Sequence, residues 1–132
     1  MRLRTALGQY AVAAAAFLAL DLVWLTLVAP PLYDHFLGDL LAESPNAVAA
    51  ALFYGIFVAG LVFFAIAPAT SARSAAGRGA AFGLVTYATW DLTSLAVIEG
   101  FPVGIVPIDL AWGALLSAAV AAVTHVVWGR LR

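Results

Sequence analysis

The chain has 132 residues, of which 65% are hydrophobic and 10% are charged, and its formal net charge is −1 at pH 7. Typical soluble domains are about 45–50% apolar and about 25% charged, so this chain has too little polar sequence to cover a soluble fold. The absence of cysteine excludes disulfides, thiolate catalysis and cysteine metal sites. The composition therefore predicts a single all-α domain that is integral to a membrane.

The first predicted element is a membrane-spanning helix over 5–29. It follows a short basic start, and its apolar run has the length of about 20 residues that a bilayer crossing requires. The length of this run and the presence of Asp21 argue against the alternative of a cleaved signal peptide. Pro30 and Pro31 are expected to end the helix, because proline lacks a backbone N–H and disfavours helix at the preceding residue.

The rest of the chain predicts further helices. The spacing of apolar residues within an acidic stretch predicts a short interfacial helix over about 32–42. Three more membrane spans are predicted, over 47–68, 80–98 and 104–128. A short polar connection is expected over 69–79. Gly79 and Gly83 form a small-xxx-small step, which predicts close packing of the third span against a neighbouring helix.

The arginines predict the orientation of the chain. All six fall at ends that four successive crossings place on one side: Arg2, Arg4, Arg73, Arg78, Arg130 and Arg132. The loops on the opposite side carry acidic residues and no arginine. Under the positive-inside rule, both the N and the C terminus are expected in the cytoplasm.

The segments around two of the aspartates resemble each other. Phe17–Leu25 aligns with Tyr87–Leu95, so that Asp21 and Asp91 fall at equal positions. The sequences of the second and fourth spans also resemble each other. We therefore predict two parallel helical-hairpin repeats related by a pseudo-two-fold axis along the membrane normal, as occurs in transporters. Chance similarity between two apolar helices is the alternative.

Three aspartates lie within apolar segments, at positions 21, 91 and 109. A charged side chain at the bilayer centre costs about 3 kcal/mol even on the gentlest scale. The rise of a helix places all three in the same half of the bundle, where they can converge. No arginine or lysine is placed to neutralise them, so at least one is expected to be protonated at neutral pH or to share its charge with a bound cation. Helix association by hydrogen bonds averages only about 0.6 kcal/mol per bond, which explains three buried acids poorly.

The candidate ligand-binding residues either share a helical stripe with an aspartate or are placed to hydrogen-bond to one. They are Asp21, Trp24, Tyr54, Tyr87, Asp91, Ser94, Asp109 and Trp112. Thr89 and Thr93 are further candidate hydrogen-bond partners. We assign no catalytic residue and no cofactor, because the sequence contains no phosphate loop, no HExxH and no nucleophile elbow. His35 and His125 belong to opposite membrane faces, so no metal site is predicted.

The motifs around the three aspartates resemble those of a family of small bacterial membrane proteins. They are Asp21-Leu22-Val23-Trp24-Leu25, Tyr87-Ala88-Thr89-Trp90-Asp91-Leu92-Thr93 and Asp109-Leu110-Ala111-Trp112-Gly113. The family is catalogued as domain of unknown function 2177 and is predicted to have four spans. The resemblance covers nearly the whole chain, although Trp90 stands where a tyrosine is expected in relatives. It implies a multi-pass protein of the bacterial inner membrane and implies no activity.

Three functions of different classes remain open. The leading hypothesis is binding or transport of a small cationic or apolar ligand, with or without proton coupling. Four spans form a thin wall around any pathway, so a homodimer in the lipid bilayer is expected, and no nucleic acid partner is expected. The second hypothesis is a membrane-embedded enzyme acting on a lipid or isoprenoid, with Asp91 and Asp109 as acid/base groups or ligands of a divalent cation. The third is a structural subunit of a membrane complex.

Overall fold

The computed structural model describes residues 2–132, and this part of the chain forms helices and no strand. The predicted all-α fold is therefore confirmed. Four helical rods follow one another in antiparallel order, and the first rod contains two α-helices. The elements are α1 (Leu3–Val23), a π-helical turn (Trp24–Val28), α2 (Ala29–Leu37), a 3-10 turn (Gly38–Leu40), α3 (Ala47–Leu61), a second π-helical turn (Val62–Ile66), α4 (Ala72–Val97) and α5 (Ile105–Leu131).

The first rod does not end at Pro30 and Pro31, and that expectation was wrong. The two prolines occupy the first turn of α2, where the backbone N–H groups of a helix have no intrahelical partner to lose. The π-helical turn before them has already changed the hydrogen-bond register, since the N–H of Ala29 donates to the carbonyl oxygen of Trp24. The helix predicted over 32–42 is thus the continuation of the first rod. The α-helix α2 ends before Gly38, whose φ is 46°.

The fourth α-helix begins earlier than predicted. Ser71 caps α4 by accepting a hydrogen bond from the N–H of Ser74 at 3.0 Å, and the helix continues from Ala72 without a break. The polar connection expected over 69–79 is therefore helical from Ala72 onward, because an alanine-rich sequence with exposed arginines is compatible with helix. Asn46 caps α3 in the same way through the N–H of Ala49, at 3.1 Å.

Among residues 2–132, three rods are long and apolar enough to cross a membrane: Leu3–Leu40, Ala47–Ile66 and Ile105–Leu131. The sequence predicted four spans, and the predicted span over 80–98 is not among these three. Its helix, α4, has 26 residues and is about 39 Å long, so length is not the reason. Two arginines, Asp91, several glycines and several hydroxyl side chains make α4 more polar than the other rods.

Small residues allow α4 and α5 to pack closely. A Cβ atom added to Gly83 would overlap the carbonyl oxygen of Gly113, and one added to Gly79 would overlap the carbonyl oxygen of Ser117. The close packing predicted from Gly79 and Gly83 is confirmed. Because α4 and α5 touch along their backbones, side chains one turn beyond these contacts, such as Tyr87, are also brought against α5.

The apolar core lies in the middle of the bundle, where Phe17 on α1, Leu61 on α3 and Val120 on α5 are fully buried. A smaller apolar cluster forms where α2 packs on the turn after α4, around Phe101 and Ile105. This end of the bundle, formed by α2, the start of α3 and the α4–α5 turn, is called the acidic end here. Its exposed acids are Asp34, Asp39, Glu43 and Glu99.

The opposite end of the bundle is called the arginine end. It is formed by the starts of α1 and α4 and by the end of α5, and all six arginines are exposed there. The arginines are therefore separated from the acids along the bundle axis, as the sequence predicted. The cytoplasmic location of the termini and the duplication of the hairpins stay predictions.

Candidate functional site

The three aspartates of the apolar segments are buried on three different helices. Asp21 lies on α1, Asp91 on α4 and Asp109 on α5, and Asp91 is only 1% exposed. All three lie toward the acidic end. On its own helix, Asp91 is separated from Arg78 by about three and a half turns, and the other two aspartates are farther still from the arginines of theirs. The carboxyl groups are thus held in an apolar interior, and the fixed positive charges are at the other end of the bundle.

Two donors hold the carboxyl group of Asp21. The hydroxyl of Tyr54 on α3 donates to Oδ2 at 2.9 Å, and the indole Nε1–H of Trp112 on α5 donates to Oδ1 at 3.4 Å. Asp21 therefore connects three rods through a side chain that is buried among aromatic rings. Each of its two oxygens has one donor, which satisfies part of the hydrogen-bonding demand of a buried carboxyl group.

Two tryptophans stack beside Asp21. The rings of Trp24 and Trp112 are nearly parallel, with an interplanar angle of 8° and ring centroids 4.5 Å apart. The Nε1–H of Trp24 donates to the hydroxyl oxygen of Tyr33 on α2, at 3.4 Å. The hydroxyl proton of Tyr33 is left free to donate to another group. The stack and this hydrogen bond fix α2 relative to α1 and α5.

Asp91 and Asp109 form a pair between α4 and α5. Their side chains lie within hydrogen-bonding reach of each other. Within the described residues 2–132, Oδ2 of Asp91 accepts no hydrogen bond from any donor group. Two ionised carboxylates at this distance would repel each other strongly. The arrangement is satisfied when one proton is shared by the pair or when a cation binds next to it.

A cavity of about 380 Å³ lies between the helices at this level. Six of the eight residues predicted for ligand binding line it: Asp21, Trp24, Tyr54, Tyr87, Asp109 and Trp112. The other two do not. Asp91 is buried next to Asp109, and Ser94 is buried one turn further along α4. Asp91 therefore adjoins Asp109 and is not itself a lining residue of the cavity.

The cavity has further lining residues that the sequence prediction missed. They are Leu25, Tyr33, Ala50, Phe53, Thr86 and Trp90. Tyr33 was missed because the prolines before it were expected to end the helix and to place it in an interfacial segment. Phe53, Thr86 and Trp90 each follow or precede a predicted residue in the chain. The prediction chose residues three or four apart on one helical stripe, so it left out adjacent positions. A wide cavity is lined by adjacent positions as well.

Thr89 and Thr93 do not bond to the aspartates, and that prediction was wrong. The hydroxyl of Thr89 donates to the carbonyl oxygen of Val85 at 2.7 Å, and the hydroxyl of Thr93 donates to the carbonyl oxygen of Thr89. Both side chains are exposed on the outer face of α4. Threonine in a helix commonly satisfies its hydroxyl on the preceding turn, which removes the need for a partner across the bundle.

In the described part of the chain, no three or more histidine, aspartate or glutamate side chains are grouped to hold a metal ion. The pair of Asp91 and Asp109 would supply carboxylate oxygens from two residues, whereas dedicated cation sites in proteins use more ligands. The polar atoms that face the cavity are instead carboxyl, phenol and indole groups. These groups suit hydrogen bonding and contact with an organic ligand.

The fold and the site define an all-helical membrane protein with a buried acidic cavity. The chain belongs to the family described as predicted membrane protein (DUF2177), whose model matches residues 6–126. The predicted family is thus confirmed, and the matched range contains the three aspartate motifs and every residue that lines the cavity. No curated protein matches the chain, and no solved structure matches it.

Proposed function

We propose that the cavity binds a small organic cation and that the protein is a binding or transport module for such a ligand. The observation that carries the proposal is the pair of Asp91 and Asp109, since Asp109 lines a cavity that has no arginine or lysine in its wall. A cation next to Asp109 would relieve the repulsion between the two carboxylates. It would also reduce the cost of keeping Asp21 in an apolar interior.

The walls of the cavity support an organic cation over a hydrated metal ion. The stacked indoles of Trp24 and Trp112 and the phenol rings of Tyr54 and Tyr87 surround the carboxyl groups. A cation held over an aromatic face gains about 0.5–2 kcal/mol, with the larger values in desolvated sites. The volume of 380 Å³ is near the lower limit of about 300–1,000 Å³ for ligand pockets, so the bound group is small.

Titration of the purified protein with tetramethylammonium tests the proposal, with tryptophan fluorescence as the signal. We expect saturable binding in the wild type and at least about tenfold weaker binding in Asp109→Asn, because the substitution removes one of the two carboxyl groups that face the cavity. Glu43→Gln is the matched control, since Glu43 is an exposed acid of the loop before α3, outside the cavity. Equal affinities of wild type and Asp109→Asn, with both variants folded, would refute the proposal.

Proton coupling is part of this proposal. When the cavity is empty, one proton shared by Asp91 and Asp109 replaces the cation, so binding of the cation releases that proton. We expect tetramethylammonium to acidify a weakly buffered solution of the wild type and not of Asp91→Asn. Cation binding without proton release would leave the binding proposal standing and would remove the coupling.

An enzyme acting on a lipid or isoprenoid is the second candidate. The close carboxyl pair favours it, since two neighbouring carboxyl groups are a common acid/base arrangement. Lipid profiling of a deletion strain complemented with wild type or Asp91→Asn distinguishes the two candidates. Accumulation of one lipid species in both the deletion and the Asp91→Asn strain would favour the enzyme. A structural subunit, the third alternative, is favoured if substitution of all three aspartates leaves cellular function intact.

The topology is a further part of the proposal. We propose that α4 crosses the membrane beside α5, that both termini are cytoplasmic, and that two copies form a dimer in the bacterial inner membrane. The close antiparallel packing of α4 on α5 supports the crossing, since α5 is one of the three apolar rods. A reporter after Arg132 should behave as cytoplasmic and one near Glu43 as external. Exchange of these signals would refute the orientation.

A further inference from the structure

We infer that the ligand of the cavity is an amphiphile, with an ammonium head group and a long apolar chain, which enters sideways from the membrane between α3 and α4. This inference rests on the proposed binding of a cation and adds the route and the class of ligand. Its basis is the separation of α3 and α4 around the cavity, and the burial of the residues that line the cavity.

The helices α3 and α4 are in contact at the middle of the bundle and toward the arginine end. The ring of Phe82 on α4 packs directly against Gly60 on α3, and its centroid is 5.3 Å from that of Phe57. The ring of Tyr87 meets Phe57 edge-on, with centroids 6.1 Å apart. Closer to the acidic end, the two helices face the cavity, which Ala50 lines from α3.

The burial of the lining residues shows where the cavity opens. Asp21, Trp24 and Asp109 are buried, so they form the deep part. Phe53 on α3, Trp90 on α4 and Leu25 on the first π-helical turn also line the cavity, yet they are 46%, 57% and 42% exposed. A side chain that lines a cavity and is half-exposed lies at its mouth. The mouth is therefore on the apolar outer surface of the bundle, beside α3. On the side of Leu25, the hydrogen bond from Tyr54 to Asp21 joins α3 to α1, so we place the opening between α3 and α4.

The other directions are closed by packing. Toward the acidic end, Tyr33 lines the cavity from α2, and Phe36 of the same helix packs against Gly104. Toward the arginine end, the rings of Phe17 and Tyr54 are in edge contact, with centroids 5.2 Å apart. Between α1 and α5, the stacked indoles form the wall. A ligand thus reaches the carboxyl groups from the lipid more directly than from the aqueous phase.

The chemistry along this path changes from apolar to acidic. At the mouth, Phe53 and Trp90 suit an alkyl chain, whereas the deep part presents carboxyl oxygens. An anionic head group would be repelled by Asp21 and Asp109. A compound with an ammonium head and an alkyl chain satisfies both parts, because its chain stays in the bilayer while its head occupies the cavity.

Protein in lipid nanodiscs, titrated with dodecyltrimethylammonium and with tetramethylammonium, tests the inference. A closed cavity of 380 Å³ would exclude the long chain. With a mouth open to lipid, we expect the long-chain compound to bind more tightly than tetramethylammonium and in an Asp109-dependent way. Dodecyl sulfate and dodecyl maltoside carry the same chain without the cationic head, and neither should compete.

Ala50→Trp places a large side chain in the mouth, and its matched control is Ala51→Trp, on the same helix but exposed and outside the cavity. We expect Ala50→Trp to lower the ratio of the long-chain to the short-chain affinity at least about tenfold, and Ala51→Trp to leave it unchanged. A second measurement uses the wild type, so it does not depend on folding of a variant. An alkylammonium probe with a photoreactive diazirine in its chain should label peptides that contain Phe53 or Trp90.

The outcomes separate this inference from the proposal on which it rests. Asp109-dependent binding of tetramethylammonium, with no binding of the long-chain compound, would overturn the lateral entry and keep the cation site. Labelling confined to peptides of α2 or the arginine end would also overturn it. Loss of Asp109 dependence for both compounds would overturn the cation site itself.

Discussion

The substitution Tyr54→Phe removes one hydroxyl from the site and little else. In the structure this hydroxyl donates to Oδ2 of Asp21 at 2.9 Å, and the other donor, Trp112, bonds to Oδ1 at the longer distance of 3.4 Å. The substitution therefore takes away the shorter of the two bonds and leaves Oδ2 without a donor. Asp21 is 6% exposed and lines a cavity whose inferred mouth faces lipid, so bulk water does not readily replace the lost donor.

Two estimates of the free energy lost with this hydrogen bond have to be compared. Interhelical hydrogen bonds in membrane proteins average about 0.6 kcal/mol. Removing the partner of a buried polar group costs more, about 1–3 kcal/mol, because the remaining group keeps its desolvation penalty. The burial of Asp21 makes the second value the relevant one. We expect Tyr54→Phe to lower the free energy of unfolding by about 1–3 kcal/mol.

Tyr10→Phe is the matched control. The hydroxyl of Tyr10 donates to the carbonyl oxygen of Gly55 at 3.2 Å, and Gly55 lies inside α3, where that carbonyl keeps its intrahelical bond. No buried acceptor is left unsatisfied, so we expect a cost of about 0.6 kcal/mol or less. Both variants lose the same atom, and the difference between them isolates the carboxyl group of Asp21.

Reversible unfolding in mixed detergent micelles provides the measurement. A double-mutant cycle adds Asp21→Leu, which removes the acceptor of the hydrogen bond. In the Asp21→Leu background, Tyr54→Phe should change the free energy of unfolding by close to nothing. Equal destabilisation by Tyr54→Phe and Tyr10→Phe would refute the reasoning. So would a cost of Tyr54→Phe that is the same with and without Asp21.

Two further predictions concern helix packing and the indole pair. Gly83→Ala should destabilise the protein by about 1–3 kcal/mol, since its Cβ would overlap the backbone of α5. Gly77 is on the same helix with open space around it, so Gly77→Ala should instead stabilise the protein by about 0.5–1 kcal/mol. If both substitutions changed the free energy of unfolding in the same direction, the close packing at Gly83 would be contradicted. Trp112→Phe should abolish the far-ultraviolet exciton couplet expected in the circular dichroism of two indoles stacked at 4.5 Å, whereas Trp90→Phe should retain it. A spectrum that is unchanged by Trp112→Phe would show that Trp24 and Trp112 do not stack in solution.

The position of the buried acids could be predicted from the sequence because it depends on few quantities. Once Asp21, Asp91 and Asp109 are assigned to apolar helices, the helical rise fixes their depth, and alternating helix directions place them at one level. The polar side chains that share their stripes then follow. Six of the eight residues chosen in this way line one cavity. Whether that cavity binds a ligand stays a prediction.

The features that the sequence did not reveal depend on backbone details. Tyr33 reaches the cavity because a π-helical turn carries the chain past two prolines, and local preference favours a helix end at that point. Thr89 and Thr93 bond to their own helix, an alternative that is open to any threonine within a helix. Phe53 and Trp90 line the cavity because α3 and α4 are not in contact there, and the separation of two helices is a property of the whole bundle.

The π-helical turn over Trp24–Val28 has a consequence for sequence length. Each residue of an α-helix rotates the chain by about 100°, so removing one residue from this turn would turn α2 about its axis by roughly that angle. Tyr33 would then leave the cavity, although no side chain of the site had been replaced. The number of residues between Trp24 and Tyr33 thus specifies the site as much as their chemical identity does. We expect family members that keep both aromatic residues to tolerate substitution within this segment and to reject insertion or deletion.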